Sequence, residues 1–154
     1  MSADTVGFEY AESFRELRVY QKARELSREV FRISRDLPRE EKYSLTDQIR
    51  RASRSVGAQI AEAWAKRRYE AHFIAKLSDA DAEQMETQHW LGCTLDCAYS
   101  PLETLRPLVE RCMEIGRMLH SMIEKAATFC DSTNRLQEPN PEYFLPFPES
   151  PIHL

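Results

Sequence analysis

Apolar residues recur along most of this chain at alternating intervals of three and four. Val19, Ala23, Leu26, Val30, Ile33 and Leu37 form one such series, and Leu105, Leu108, Cys112, Ile115, Leu119, Met122 and Ala126 form another. A stripe with this period runs along one side of a helix and makes the seam of a left-handed bundle. Leu45, Ile49, Ala52, Val56, Ile60 and Ala63 give a third series. The fourth, Phe73, Leu77, Ala80, Gln84, Gln88, Leu91 and Leu95, is more polar. The helix that carries it is therefore expected to be less buried, or to face a partner. Four such stripes predict an all-α chain. Only four glycines occur in 154 residues, 30% of residues are charged, and β-branched runs are rare, which favours helices over sheet.

The boundaries follow from local signals. Ser13-Phe14-Arg15-Glu16 has the capping-box pattern, Ser44 to Asp47 a weaker version, and Ser100-Pro101-Leu102-Glu103 the strongest, with proline at the first helical position. Leu37-Pro38 is expected to end the first helix, because the residue before proline is pushed out of the helical region. The second and third helices lack such punctuation. A break near Arg67 to Tyr69 is required because one helix from Ser44 to Ala98 would span roughly 80 Å, too long to fold back. The expected domains are a flexible segment over 1–12, a helical body over 13–130, and an irregular Pro-rich tail over 131–154. Five of the eight prolines fall in that tail, between Tyr143, Phe144, Leu145, Phe147 and Ile152. Such a segment is too aromatic for an ordinary solvated linker and is expected to dock in an apolar groove of its own or a neighbouring subunit, the alternative being a disordered peptide that binds something else.

Charge is divided along the chain. Residues 15–68 carry 15 Lys/Arg against 8 Asp/Glu, while residues 69–154 carry 6 against 14. The basic half contains the candidate polyanion-binding residues Arg50, Arg51, Arg54, Lys66, Arg67 and Arg68. Arg50 and Arg54 are i, i+4 neighbours whose mutual repulsion a phosphate would relieve. Trp64, Tyr69 and His72 lie close in sequence and offer stacking surfaces. The alternative is that these arginines pair with the acidic run Asp79 to Glu86, and the sequence leaves both open. Ser53, Gly57, Ala61 and Ala65 recur every four positions on the second helix, and close helix approach at Gly57 is expected to compensate its cost in a helix of about 1 kcal/mol.

Catalytic patterns are absent. The sequence holds no G-x-S-x-G, phosphate-binding loop or dinucleotide fingerprint. His89, Cys93 and Cys97 stand four apart on the third helix, where zinc ligands would need Cys112 as a fourth, but this is not knuckle spacing. Glu86-x-x-His89 fits a di-iron spacing only once, since Arg117 precedes His120 at i−3. No metal, cofactor or enzymatic activity is expected. The four cysteines are expected to be thiols in a reducing cytoplasm. No run reaches the roughly 18 apolar residues of a membrane span.

The ordered motifs resemble one known family. Phe14-x-x-Leu17-x-Val19-Tyr20-Gln21-x-Ala23, Pro38-x-x-Glu41-x-Tyr43-x-Leu45, Gln48-Ile49-Arg50-Arg51-Ala52 with Ser55-Val56 and Ile60-Ala61-Glu62, and Glu86-Thr87 are similar to the 23S rRNA intervening-sequence proteins. The resemblance runs from about Phe14 to Ala127. It departs at Gln59, where asparagine is usual, and at Ala63, where glycine is usual. It implies an antiparallel up-down four-helix bundle, homo-oligomers that are pentamers, and relatives that bind reverse transcriptase and nucleic acid in retroelements. The expected function is a non-enzymatic oligomeric scaffold or accessory protein binding RNA or a nucleoprotein partner through its basic helix. The alternative is a protein–protein adaptor using the third helix and the tail.

Overall fold

The computed structural model describes residues 11–130, so the segment 1–10 and the tail 131–154 lie outside the described residues. Among the described residues the chain is all-helical. A 3-10 turn at Phe14–Glu16 precedes α1 (Arg18–Ser34). A second 3-10 turn at Arg39–Glu41 and a π-helical turn at Lys42–Thr46 lead into α2 (Asp47–Ala65). Then follow α3 (Glu70–Asp96), α4 (Leu102–Glu124) and the short α5 (Ala126–Phe129). The four long helices pack α1 on α2, α2 on α3, α3 on α4 and α4 on α1 around one core.

The stripes of α1, α2 and α4 are buried as their spacing requires, from Val19 to Val30, Leu45 to Ala63 and Leu105 to Met122. The third helix differs from expectation. It is a core helix, with Phe73, Leu77, Ala80, Gln84, Thr87, Leu91 and Thr94 all buried, while Leu95 is exposed. Its polar side chains enter the core because they satisfy one another. Gln88 donates to Gln84 (2.7 Å), Gln84 donates to Asp81 (2.9 Å), and the Thr87 and Thr94 hydroxyls donate to the carbonyls of Glu83 and Trp90. A paired polar group can be buried without the cost of an orphaned one.

The expected break between the second and third helices is present. Lys66 closes α2, and Tyr69 is extended before α3. The capping serines behave otherwise. Ser13 accepts from the Arg15 N–H and caps only the short turn, while Glu16 reaches back to the Glu12 N–H. Ser44 donates to the Glu41 carboxylate inside the π-helical turn. Ahead of α4, Pro101 is extended and is itself the N-cap, so its carbonyl receives the Thr104 and Leu105 N–H groups. Likewise α1 stops at Ser34, three residues before Leu37.

Gly57 is buried, yet a Cβ there would meet the Tyr20 ring at 3.6 Å and Ala23 at 3.9 Å, ordinary contacts. The close approach is instead at Gly116. A Cβ there would stand 2.8 Å from the Gln84 amide and 3.2 Å from Asp81. The one non-glycine residue at positive φ among the described residues is Ala98, at 57°. It follows the Cys97 cap of α3, and the bonds Tyr99 N–H to Thr94 C=O and Ala98 N–H to Leu95 C=O complete a Schellman motif. That position favours glycine. Ala98→Gly is expected to raise stability by about 1 kcal/mol, measured as the shift in free energy from urea melts. An unchanged or lower stability would contradict this account of the cap.

Candidate functional site

The outer face of α1 opens onto α2 through a groove of about 640 Å³. Its floor is Tyr20, Ala23 and Phe31 from α1 and Gly57, Ala58 and Ala61 from α2. The small residues of α2 therefore leave space between the helices. Arg24, Arg28 and Arg32 of α1, Arg35 at its C-cap and Arg54 of α2 line it, with no carboxylate in the lining. The α1 arginines are exposed because spacings of four, four and three hold them on one solvent-facing side of a helix whose opposite side is core.

Aromatic rings support the arginines. Phe31, 39% exposed, has the Arg50 guanidinium 4.7 Å and the Arg54 guanidinium 5.5 Å from its ring centre. Arg24 donates to the Tyr20 hydroxyl at 3.1 Å, and Tyr20 packs edge-on against Phe14. Arg50 is anchored further by donating to the Ser34 hydroxyl at 2.7 Å. Among the described residues, none of Arg24, Arg28, Arg32, Arg35 and Arg54 has a carboxylate partner. Like charges one helical turn apart repel by a few tenths of a kcal/mol. An anion in the groove would remove that repulsion and gain charge-assisted hydrogen bonds from planar guanidinium forks.

The six residues singled out in the sequence separate into three environments. Arg50 and Arg54 flank the groove through Phe31. Arg51, beside them on α2, pairs instead with Glu86 (2.5 Å) and Glu83 (3.7 Å) of α3. Lys66, Arg67 and Arg68 lie at the α2–α3 corner, away from the groove lining, with Arg67 stacked 3.7 Å over Trp64. The pairing with the acidic run of α3 is thus made by Arg51. The α1 arginines were visible in sequence only as part of the basic half, because their role depends on what packs beside them.

The Arg51 cluster has its own electrostatics. Burial pushes the Glu83 carboxyl above its ordinary value of 4.5, and its Oε2 is buried with no hydrogen-bond partner. Burial also acts upward on Glu86, but hydrogen bonds from Arg51 and Trp90 outweigh it and hold that carboxyl low. Glu83 binds more protons in the folded than in the unfolded chain, so its contribution to stability falls as pH rises above 4.5. Glu86 acts in the opposite sense, its contribution being lost as pH falls below 4.5. Glu83→Gln is expected to remove the first dependence and keep the second. Urea midpoints taken across pH would then rise and plateau for the variant, whereas a persisting decline above pH 4.5 would contradict the assignment.

The sulfur and histidine side chains singled out as candidate ligands occupy different settings. His89 and Cys93 are 3.7 Å apart, Cys97 is exposed, and Cys112 is buried in the core with its thiol pushed up to about 12 by burial. Among the described residues no three His, Cys, Asp or Glu side chains converge as ligands. No helix among them is long and apolar enough to cross a membrane.

A family model, that of the 23S rRNA-intervening sequence protein, matches residues 15–121. The chain belongs to this family. The matched span holds the whole arginine groove except its edge at Phe14 and stops before α5. A solved structure of a protein of unknown function from the S23 ribosomal protein family of Bacteroides thetaiotaomicron is similar. It is 31% identical, with a TM-score of 0.63 over 69% of this chain and 98% of that one. No curated protein matches the chain. The intervening-sequence family has no assigned function, and no catalytic family is indicated.

Proposed function

We infer that this chain is a non-enzymatic, self-assembling accessory protein of the cytoplasm that holds RNA in the α1–α2 groove. The observation that carries this reading is the row of five arginines, without carboxylate partners among the described residues, over an aromatic and small-residue floor. That combination suits a phosphate backbone with bases beside it, and the family's name is consistent with RNA. Arg50 and Arg54 remain in the proposed interface. Arg24, Arg28, Arg32 and Arg35 join it, and Arg51, Lys66, Arg67 and Arg68 become peripheral.

The body is read as an antiparallel up-down four-helix bundle. Pairs such as Tyr20 with Gly57 and Ser34 with Arg50, or Asp81 with His120 and Gln84 with Gly116, support that order. Assembly as a homopentamer is part of the proposal. Exposed Met85, Leu102 and Met113 are consistent with further burial between copies. A molar mass by light scattering equal to that of one chain would refute self-assembly.

The test of the RNA reading is binding of the purified full chain to structured ribosomal RNA titrated across salt. Neutralisation of about five phosphates predicts a log–log slope on the order of −4. Absence of binding at about 50 mM salt would overturn it.

A further inference from the structure

The groove and the chain's last segment complement each other. Five arginines and no carboxylate line the groove, over a floor that includes Tyr20 and Phe31. Residues 131–154 carry Asp131, Glu138, Glu142 and Glu149 against the single Arg135, with five prolines set among aromatic and aliphatic residues. We propose that the segment 131–154 docks in the α1–α2 groove of its own chain, its carboxylates meeting the arginines and its aromatic side chains meeting the floor.

Three arguments carry this. Charge is complementary where the groove has none of its own to offset it among the described residues. Proline fixes φ, so a Pro-rich segment loses little conformational freedom on docking against an aromatic-lined groove. Reach is ample. Twenty-four residues follow Cys130, which is about 80 Å of extended chain, against a radius of gyration of about 14 Å for a body of this size. Exposed Met85 is a poorer host. Met85 lies on α3, which bears six carboxylates and one lysine and would repel an acidic segment.

The docked segment would compete with a polyanion for the same groove without barring it, and the proposal needs no nucleic acid to be tested. The readout is amide hydrogen exchange of residues 131–154 in the full chain by mass spectrometry, against a free peptide of that sequence. Docking predicts slowing of at least about tenfold. Arg28→Glu with Arg32→Glu is expected to abolish the slowing, as is Glu138→Arg with Glu142→Arg and Glu149→Arg. The combined five-fold variant is expected to restore it, which also shows that the groove variant still folds. Exchange equal to that of the free peptide overturns the proposal. So does slowing indifferent to the groove substitutions, or slowing lost on dilution, which would assign the contact to another copy's segment.

Discussion

Replacing Arg28 and Arg32 together by glutamate lowers affinity for structured RNA by about tenfold or more at low salt, and reduces the salt slope by about two. Both side chains are exposed on α1 and neither has a carboxylate partner among the described residues, so their loss removes no ion pair within the described helical body. The thermal melt is expected to stay within about 0.5 kcal/mol of the parent, as for most surface substitutions. Arg106 and Arg117, exposed on α4, supply the control. Reversing them alters net charge by the same amount but touches no groove residue, and it is expected to change affinity far less. Equal losses in the two double variants would mean that overall charge, rather than the groove, governs binding.

Phe73→Ala destabilises the fold by about 3–5 kcal/mol. Phe73 is fully buried and its ring stacks on Phe129 with centroids 5.9 Å apart, so truncation removes core contacts from α3 and α5 at once. Equilibrium urea unfolding measures it. A loss below about 1 kcal/mol would fit a solvent-facing α3 and would contradict the core position described above.

That prediction also marks where the sequence was legible. The stripes of α1, α2 and α4 are apolar throughout, so spacing alone places Leu26, Ile60 and Ile115 in the core. On α3 the same positions fall to Gln84, Thr87 and Thr94, whose burial depends on bonds to Asp81, Gln88 and backbone carbonyls. Hydropathy has no access to such pairing. The long helices begin one to four residues from the positions their patterns imply, because Ser13, Ser44 and Pro101 each find a different partner. Gly57 and Gly116 show the same limit. Both are buried glycines on helices, and only the neighbour across the seam determines which of them is required.

The candidate site divides in the same way. Arg50 and Arg54 stood out because they are clustered in sequence, and the fold does set them beside the groove. Arg51, between them, is absent from the groove lining and is held by Glu83 and Glu86 of α3. Arg24, Arg28, Arg32 and Arg35 are dispersed among glutamates in sequence. They become a row only because Glu25 and Glu29 turn toward Arg111 of α4 while the arginines face α2.

The most direct test of the central claim is ultraviolet cross-linking of the full chain to RNA, with the attached peptides identified by mass spectrometry. The account predicts cross-links on the α1 stretch that contains Tyr20 and Phe31 and on the α2 stretch from Arg54 to Ala61. Cross-links confined to the α2–α3 corner around Trp64 and Tyr69, or to α4, would contradict it.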